Sequence, residues 1–319
     1  LSCMINTCEH SILVQSRYDP THTTALRNAF ARDVKRRFVE LMKIIWVAIV
    51  DKDCFGLTSR ISVFQVTPPG DGAFAFSKSS RKVEEFMKWL DEQVQKGLLT
   101  VAEAEQVGES INAAWTNLYV WDSYKRGVIR ARTEMVRARM VVPSISDSGG
   151  IDMIMGTPFH MDRVGVLFTR VYNDLKGITE QMDAQISRIL AQGMIDGDGP
   201  ALIARKLIAV INGEGIDKLG IRDTLGRFIP AMRRAEMLAR TEMIRAYHLA
   251  TIQEYRNWGV LGIKVLGEWK TAGDDRVCEE CASLEGKVFT LDEIEPMIPV
   301  HPLCRCLALP YIEELQKYY

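Results

Sequence analysis

Four cysteines and one histidine crowd the last part of the sequence, as Cys278-Glu-Glu-Cys281 and then His301-Pro-Leu-Cys304-Arg-Cys306. Thiolates and an imidazole are the donors zinc prefers, four of them in a tetrahedron. A C-x2-C step turns two sulfurs onto one ion, and a second pair from a distant segment would lock both ends of a small module to the same metal. The spacing C-x2-C-x22-C-x-C is close to the zinc-ribbon form, but its second pair is C-x-C. Cys278, Cys281 and Cys304 are therefore expected as ligands, with either His301 or Cys306 completing the site, and the expected cofactor is a structural zinc ion. The competing readings are a disulfide pair and buried thiols without metal. The sequence holds seven cysteines, an odd number, and Leu1 to His10 lacks the basic-then-apolar pattern of an export signal, which disfavours disulfides.

A catalytic zinc needs an open fourth position and a placed acid or base. The deaminase pattern H-x-E with P-C-x-x-C is missing, since Val277 precedes Cys278 and Pro302-Leu303 follows His301. There is no G-x-S-x-G, no Walker glycine loop and no H-E-x-x-H. The glycines from Gly193 to Gly199 follow a helical pattern, so they read as a helix end and turn. Glu279, Glu280 and Glu285 read as a solvated surface, and His248, alone on a helix, as packing or surface. No catalytic residue is assigned and no enzyme is expected. The alternative is a zinc-dependent nucleic-acid-processing enzyme, a nuclease or deaminase-like protein.

The elements that carry these residues are mainly helical. Leu26, Phe30, Val34, Phe38, Leu41, Ile45 and Ala48 recur every three or four residues, one apolar helix face. A break at Thr67 to Gly72 precedes a second pattern through Val83, Phe86, Met87, Leu90 and Val94, and Thr100 with Glu103 has the form of a capping box. Ile111, Ala114, Trp115, Leu118 and Trp121 set a third helical face, interrupted at Gly127. Helical periodicity returns from Asp162 to Met194, then over Ala201 to Ile211 between Gly199-Pro200 and Asn212-Gly213, and from near Pro230 to Gly259. Beyond Gly259, Ile263 to Trp269 and Lys287 to Thr290 are short β-favouring runs between turn signals. The fold class expected is mainly α, with a small C-terminal α+β module held by the Cys/His knuckle.

The segment between Val141 and Pro158, rich in Gly, Pro and Ser, sets the expected organisation: an N-terminal helical domain over 1–145, a linker over 146–158, a domain over 159–311, and a tail over 312–319. Within 159–311, residues 159–259 are helical and 260–311 carry the knuckle. One octet repeats, Ala131-Arg-Thr-Glu-Met-Val-Arg-Ala138 and Ala239-Arg-Thr-Glu-Met-Ile-Arg-Ala246, with a single difference. Two copies do not make a solenoid.

Composition bounds the function. With 47% hydrophobic and 25% charged residues in 319, the chain is globular rather than disordered. The apolar run Leu41 to Val50 contains Lys43 and is far short of the ~20 residues of a membrane helix. The net charge of -1 excludes a uniformly basic nucleic-acid binder. Locally the balance shifts: residues 23–60 hold eight Lys/Arg against four Asp/Glu, and 125–140 hold six against one. Arg27, Arg32, Lys35, Arg36, Arg37, Arg130, Arg132, Arg137 and Arg139 are the candidate DNA contacts, by phosphate neutralisation without base readout, with ordinary solvation or carboxylate pairing as the alternative.

The order of motifs carries a resemblance. Ala239-Arg-Thr-Glu242 is followed by Trp269-Lys-Thr-Ala-Gly-Asp-Asp275, Cys278-Glu-Glu-Cys281, Glu285-Gly286-Lys-Val-Phe289 and His301-Pro-Leu-Cys304-Arg-Cys306. Over about residues 160 to 310 this resembles the phage Mu F-like family of minor head, or head morphogenesis, proteins. The sequence departs from the family's pattern at Ile298-Pro299-Val300-His301, where an extra residue separates the proline from the histidine. The resemblance implies a structural component of a tailed-phage head at the portal vertex and head interior, acting in morphogenesis and in genome packaging or ejection. It implies as partners the portal protein, a major capsid or scaffolding protein and genomic double-stranded DNA, with no membrane in the mature head. The implied location is the virion, and the host cytoplasm during assembly. Some family members carry C-terminal toxin domains; with only nine residues after Pro310, none is expected here. A host adaptor that binds proteins through the knuckle is the remaining class.

Overall fold

In the computed structural model, residues 19–57, 81–99, 114–213, 229–259 and 264–312 are described. The expected break at Thr67 to Gly72, the Thr100/Glu103 cap, Ile111, Ile263 and residues 313–319 of the tail lie outside them. The helices are α1 (Thr24–Trp46), α2 (Lys82–Val94), α3 (Asn117–Arg137), α4 (Ile151–Met155), α5 (Pro158–Asp196), α6 (Pro200–Asn212) and α7 (Ala231–Gly259). The C-terminal module adds β1 (Val265–Lys270), α8 (Glu279–Leu284), β2 (Val288–Phe289), α9 (Leu291–Ile294) and β3 (Leu307–Ile312). The chain is thus mainly helical with a small C-terminal sheet.

These elements form two compact units, each discontinuous in sequence. One comprises Leu1–Ala29, Leu118–Leu167 and Arg240–Tyr319; the other comprises Phe30–Asn117 and Phe168–Ala239. The glycine- and serine-rich stretch 146–158 lies inside the first unit. There Ser148 Oγ accepts a 3.0 Å bond from Arg132, and Ser144 and Asp147 close a local turn.

In the second unit the predicted apolar face of α1 is buried from Phe30 through Val34, Phe38, Leu41 and Ile45, as are Phe86, Leu90 and Val94 of α2. Trp115 meets Phe30 edge-on at 5.4 Å and donates its indole N–H to Leu98 O at 2.8 Å. Helix α6 begins with Pro200 at its first turn and ends at Gly213 in the left-handed conformation, φ 82°, the asymmetry expected of Pro and Gly at helix ends.

In the first unit α3 and the C-terminal part of α7 run side by side in the same direction. Ser123 Oγ donates to Met243 O at 2.6 Å, and four residues further along each helix Gly127 lies against Tyr247 and Ala250. A Cβ on Gly127 would stand 2.3 Å from Tyr247 O and 2.7 Å from Ala250 Cβ, so only glycine lets the backbones approach this closely. The glycine that looks like an interruption in the sequence is the contact point. The core face of α3 is Val120, Tyr124, Val128, Ala131 and Met135; of the expected face, Ala114 and Trp115 are buried just ahead of the helix, but Leu118 is 65% exposed.

A buried polar chain crosses these helices. Glu254 accepts from His160 Nε2 at 2.8 Å, from Arg132 Nε at 2.8 Å and from Trp258 Nε1 at 3.2 Å. With Nε2 donating, His160 Nδ1 accepts from Tyr124 OH at 2.9 Å. Burial pushes the Glu254 carboxyl upward, but His160 and Arg132 outweigh it and hold the group below its ordinary range. A buried carboxylate is tolerated because all these donors converge on it. The repeated octets lie at the end of α3, which the first outruns by one residue, and within α7, and they make the same internal pair, Arg137 to Glu134 at 2.7 Å and Arg245 to Glu242 at 3.1 Å.

The sheet has order β2-β1-β3, antiparallel throughout, with Gly267 opposite Phe289 on one side and Pro310 on the other. It packs through Val265, Trp269, Ala308 and Ile312 on a core that includes Ile244, Ile252 and Tyr255 of α7. Two polar ties fasten it: Tyr255 OH donates to Ala308 O at 3.2 Å and His248 Nε2 to Ile294 O at 3.1 Å.

Two outcomes follow from this packing. Gly127→Ala adds helix propensity of about 1 kcal/mol yet is expected to lower stability by about 1–3 kcal/mol through overpacking, read as a lower urea midpoint. Burial holds the His248 imidazole down at about 4, from an ordinary 6.5, so it is neutral when folded. The unfolded chain therefore binds a proton at this site first as pH falls, and the contribution of His248 to stability is constant above about 6.5 and declines toward 4, by up to about 3 kcal/mol. His248→Gln keeps a donor for Ile294 O and should flatten the pH dependence of the thermal midpoint between pH 6.5 and 5, ahead of most carboxylates.

Candidate metal centre

Cys278 caps the N-terminus of α8, its Sγ accepting from Cys281 N at 3.4 Å. The first turn of that short helix brings Cys281 back beside Cys278, which is how the C-x2-C spacing becomes a pair of neighbouring sulfurs. The opposing loop begins after the cis Ile298–Pro299 bond. Its His301 places Nε2 at 3.2 Å from the sulfurs of both Cys278 and Cys281. The other ring nitrogen, Nδ1, donates to Pro302 O at 2.8 Å. That bond fixes the tautomer and leaves the Nε2 lone pair facing the sulfurs, the orientation imposed on metal-ligating histidines by a carbonyl partner.

Two overlapping groups result. The donor atoms of Cys278, Cys281 and His301 lie within 4.8 Å of one another, as do those of Cys281, Cys304 and Cys306. Cys281, Cys304 and Cys306 are buried, His301 is half-buried and Cys278 is exposed. The Cys281 amide holds the Cys278 thiol below its ordinary range, and the bond from the Cys306 thiol brings Cys304 down to about 5. Burial first, and the Cys304 sulfur with it, pushes the Cys281 thiol up to about 12, and the soft sulfurs beside an oriented imidazole are the donor set of a transition-metal ion of the zinc type. All five predicted donors are thus brought together.

The other motif residues hold this loop pair in place. Arg305, between the last two cysteines, grips Asp274 with both terminal guanidinium nitrogens, at 2.6 and 2.5 Å. Arg305 first, and Arg276 with it, holds the Asp274 carboxyl well below the usual carboxylate range. Glu285 accepts from Thr271 N at 2.6 Å and pairs with Lys270 at 2.6 Å, so this carboxylate braces β1 rather than facing the donors. Gly286, at φ 74°, donates its N–H to Trp269 O at 2.9 Å, and the Trp269 ring is fully buried. Leu303 N donates to Thr241 Oγ1 at 3.0 Å, tying the loop to the Ala-Arg-Thr-Glu turn of α7. Sequence spacing assigned no role to Asp274, Arg305 or Thr241; only their positions in the motifs marked them.

The candidate DNA contacts are placed unequally. Arg27 is buried and its guanidinium lies 2.9 Å from Asp19, which also caps α1 through Thr24 N. Arg132 is spent on Glu254 and Ser148. These two cations are turned inward, where each guanidinium is tolerated because a carboxylate pairs with it. Arg130 is half-buried on Glu134 at 2.6 Å, and Arg37 stacks 4.2 Å over the Trp115 ring while donating to Gly97 O. Arg32, Lys35, Arg36, Arg137 and Arg139 are exposed.

Removing either half of the Asp274–Arg305 clasp, by Asp274→Ala or Arg305→Ala, should lower the thermal midpoint. A double-mutant cycle is expected to give a coupling of about 1 kcal/mol, and additive single effects would show that the clasp contributes nothing.

Neither a curated protein nor a solved structure matches the chain. A family model does: residues 184–309, which run from within α5 to β3 and contain the knuckle and every residue of the clasp, match the family described as Phage Mu protein F like protein, and this stretch of the chain is Mu F-like.

Proposed function

We propose that the chain is a structural minor head protein of a tailed phage, acting in head morphogenesis at the portal vertex and head interior, with a closed zinc site as a structural staple. The Mu F-like match supports a head morphogenesis protein and a component of the virion. The observation that carries the structural reading is the mutual bonding of the motif residues. Thr241, Trp269, Asp274, Glu285 and Arg305 engage one another or the backbone around the cysteine loops, which is how a scaffold is braced. Zinc in this reading does no chemistry on a substrate: thiolate and imidazole donors close around it and join α8 to the loop before β3.

Portal, capsid or scaffold contacts, and a part in packaging or ejection, belong to the same proposal. So does contact with genomic DNA, through the exposed Arg32, Lys35, Arg36, Arg137 and Arg139 and without base readout. No helix among the described residues is long and apolar enough to cross a membrane.

The test is made on purified, DNA-filled particles. Mass spectrometry should find the chain at a few copies per particle, and ultraviolet cross-linking should attach genome fragments to peptides bearing the exposed arginines and Lys35. Absence of the chain from particles overturns the head-protein reading, and its presence with no DNA adduct overturns the DNA contact alone.

A further inference from the structure

Five donors surround a site for which a tetrahedral ion needs four. The cluster contains two turns of the same pitch. In Cys278-Glu-Glu-Cys281 the fourth residue's N–H returns to the first residue's Sγ at 3.4 Å. In His301-Pro-Leu-Cys304 the fourth residue's N–H returns to the first residue's carbonyl at 3.1 Å, with Leu303 at φ 66° closing the loop. The first turn sets the sulfurs of Cys278 and Cys281 together, and His301 of the second turn faces both.

The histidine cannot be the surplus donor. Its Nε2 is 3.2 Å from each sulfur of the opposite turn, and its Nδ1–H is already engaged by Pro302 O. Cys281 belongs to both close groups, so Cys304 and Cys306 alike lie within reach of a centre shared through that sulfur. Cys306 lies beyond the second turn. It is separated from Cys304 by Arg305, which is clamped on Asp274, and it leads directly into β3, where Leu307 pairs with Lys270. The sheet register, rather than the turn, positions it.

We propose that a single metal ion is held by the sulfurs of Cys278, Cys281 and Cys304 and by Nε2 of His301, and that Cys306 stands outside the coordination shell as a thiol against the Cys281 and Cys304 sulfurs. This rests on the zinc reading above. The motif is then C-x2-C with H-x2-C, two matched turns, and the C-x-C spacing that departs from a zinc ribbon is one ligand followed by a neighbour that shields it. A buried thiol next to two metal-bound sulfurs supplies a weak donor to them and keeps water away, the part played by outer-shell groups in tuning affinity.

Zinc-edge X-ray absorption of the unaltered, reduced full chain gives the ligand count without relying on any variant. Three sulfurs and one nitrogen at one zinc per chain are expected. Four sulfurs, or two ions per chain, overturn the proposal. Cobalt(II) titrations then assign the residues. Cys306→Ser should keep the full thiolate-to-cobalt charge-transfer intensity and an affinity within about tenfold of the unaltered chain. Cys304→Ser should lose about a third of that intensity, one thiolate of three, and His301→Ala should keep the intensity while its visible bands shift. Loss of intensity in Cys306→Ser with an unchanged spectrum in His301→Ala identifies a four-cysteine site instead. If the unaltered chain takes up neither zinc nor cobalt, it is the zinc reading itself that fails.

Discussion

Two strands of six residues and one of two, with two short helices between them, lay their apolar residues in one cluster with those of a longer helix. The C-terminal module depends on the helix behind it. Trp269, Ala308 and Ile312 of the sheet share one apolar cluster with Ile244, Ile252 and Tyr255 of α7, and His248, Tyr255 and Thr241 each bond a backbone group of the module. That helix is in turn set by the close passage of α3 at Gly127. A shift there would move Tyr247 and Ala250, and with them the neighbouring His248 on which α9 rests. The cysteine loops are the last link of this series: the sheet, the clasp and the helix already fix the backbones of the two loops that bring the donors together.

Periodicity made the long helices readable, because a 3.6-residue repeat of Phe, Val, Leu and Ile survives in α1 and α2 whatever they pack against. It misplaced the face of α3. The true contact face there includes Ser123, Tyr124 and Gly127, which a hydrophobicity pattern ranks low, and their value lies in a hydrogen bond and in the absence of a side chain. Strand β3 escaped notice for a related reason. Pro310 reads as a strand breaker, but on an edge strand its missing N–H costs nothing when the other side of the strand does the pairing. The donor cluster was readable because C-x2-C spacing is local. The His160–Glu254–Arg132 chain was not, since its members come from three helices distant in sequence and nothing nearby in the chain marks them.

The charge pattern changes meaning once partners are known. Counted along the chain, residues 274–319 hold ten acids against four bases, which suggests an acidic surface. In the folded unit much of that charge is answered from elsewhere: Glu295 by Arg163 and Arg256, Asp292 by Arg256, Glu285 by Lys270. Asp274 is answered from within, by Arg305. The basic segments are depleted in the same way, with Arg27 and Arg132 turned onto Asp19 and Glu254. Buried and half-buried pairs of this kind fix orientation more than they add stability, and here the members of most pairs sit on different elements. Among the described residues, Arg32, Lys35 and Arg36 of α1 and Arg137 and Arg139 at the end of α3 are still exposed, with Arg36 beside Asp33 and Arg137 beside Glu134. Attraction to DNA through these side chains should weaken steeply with salt, as counterion release requires of contacts made to phosphates alone.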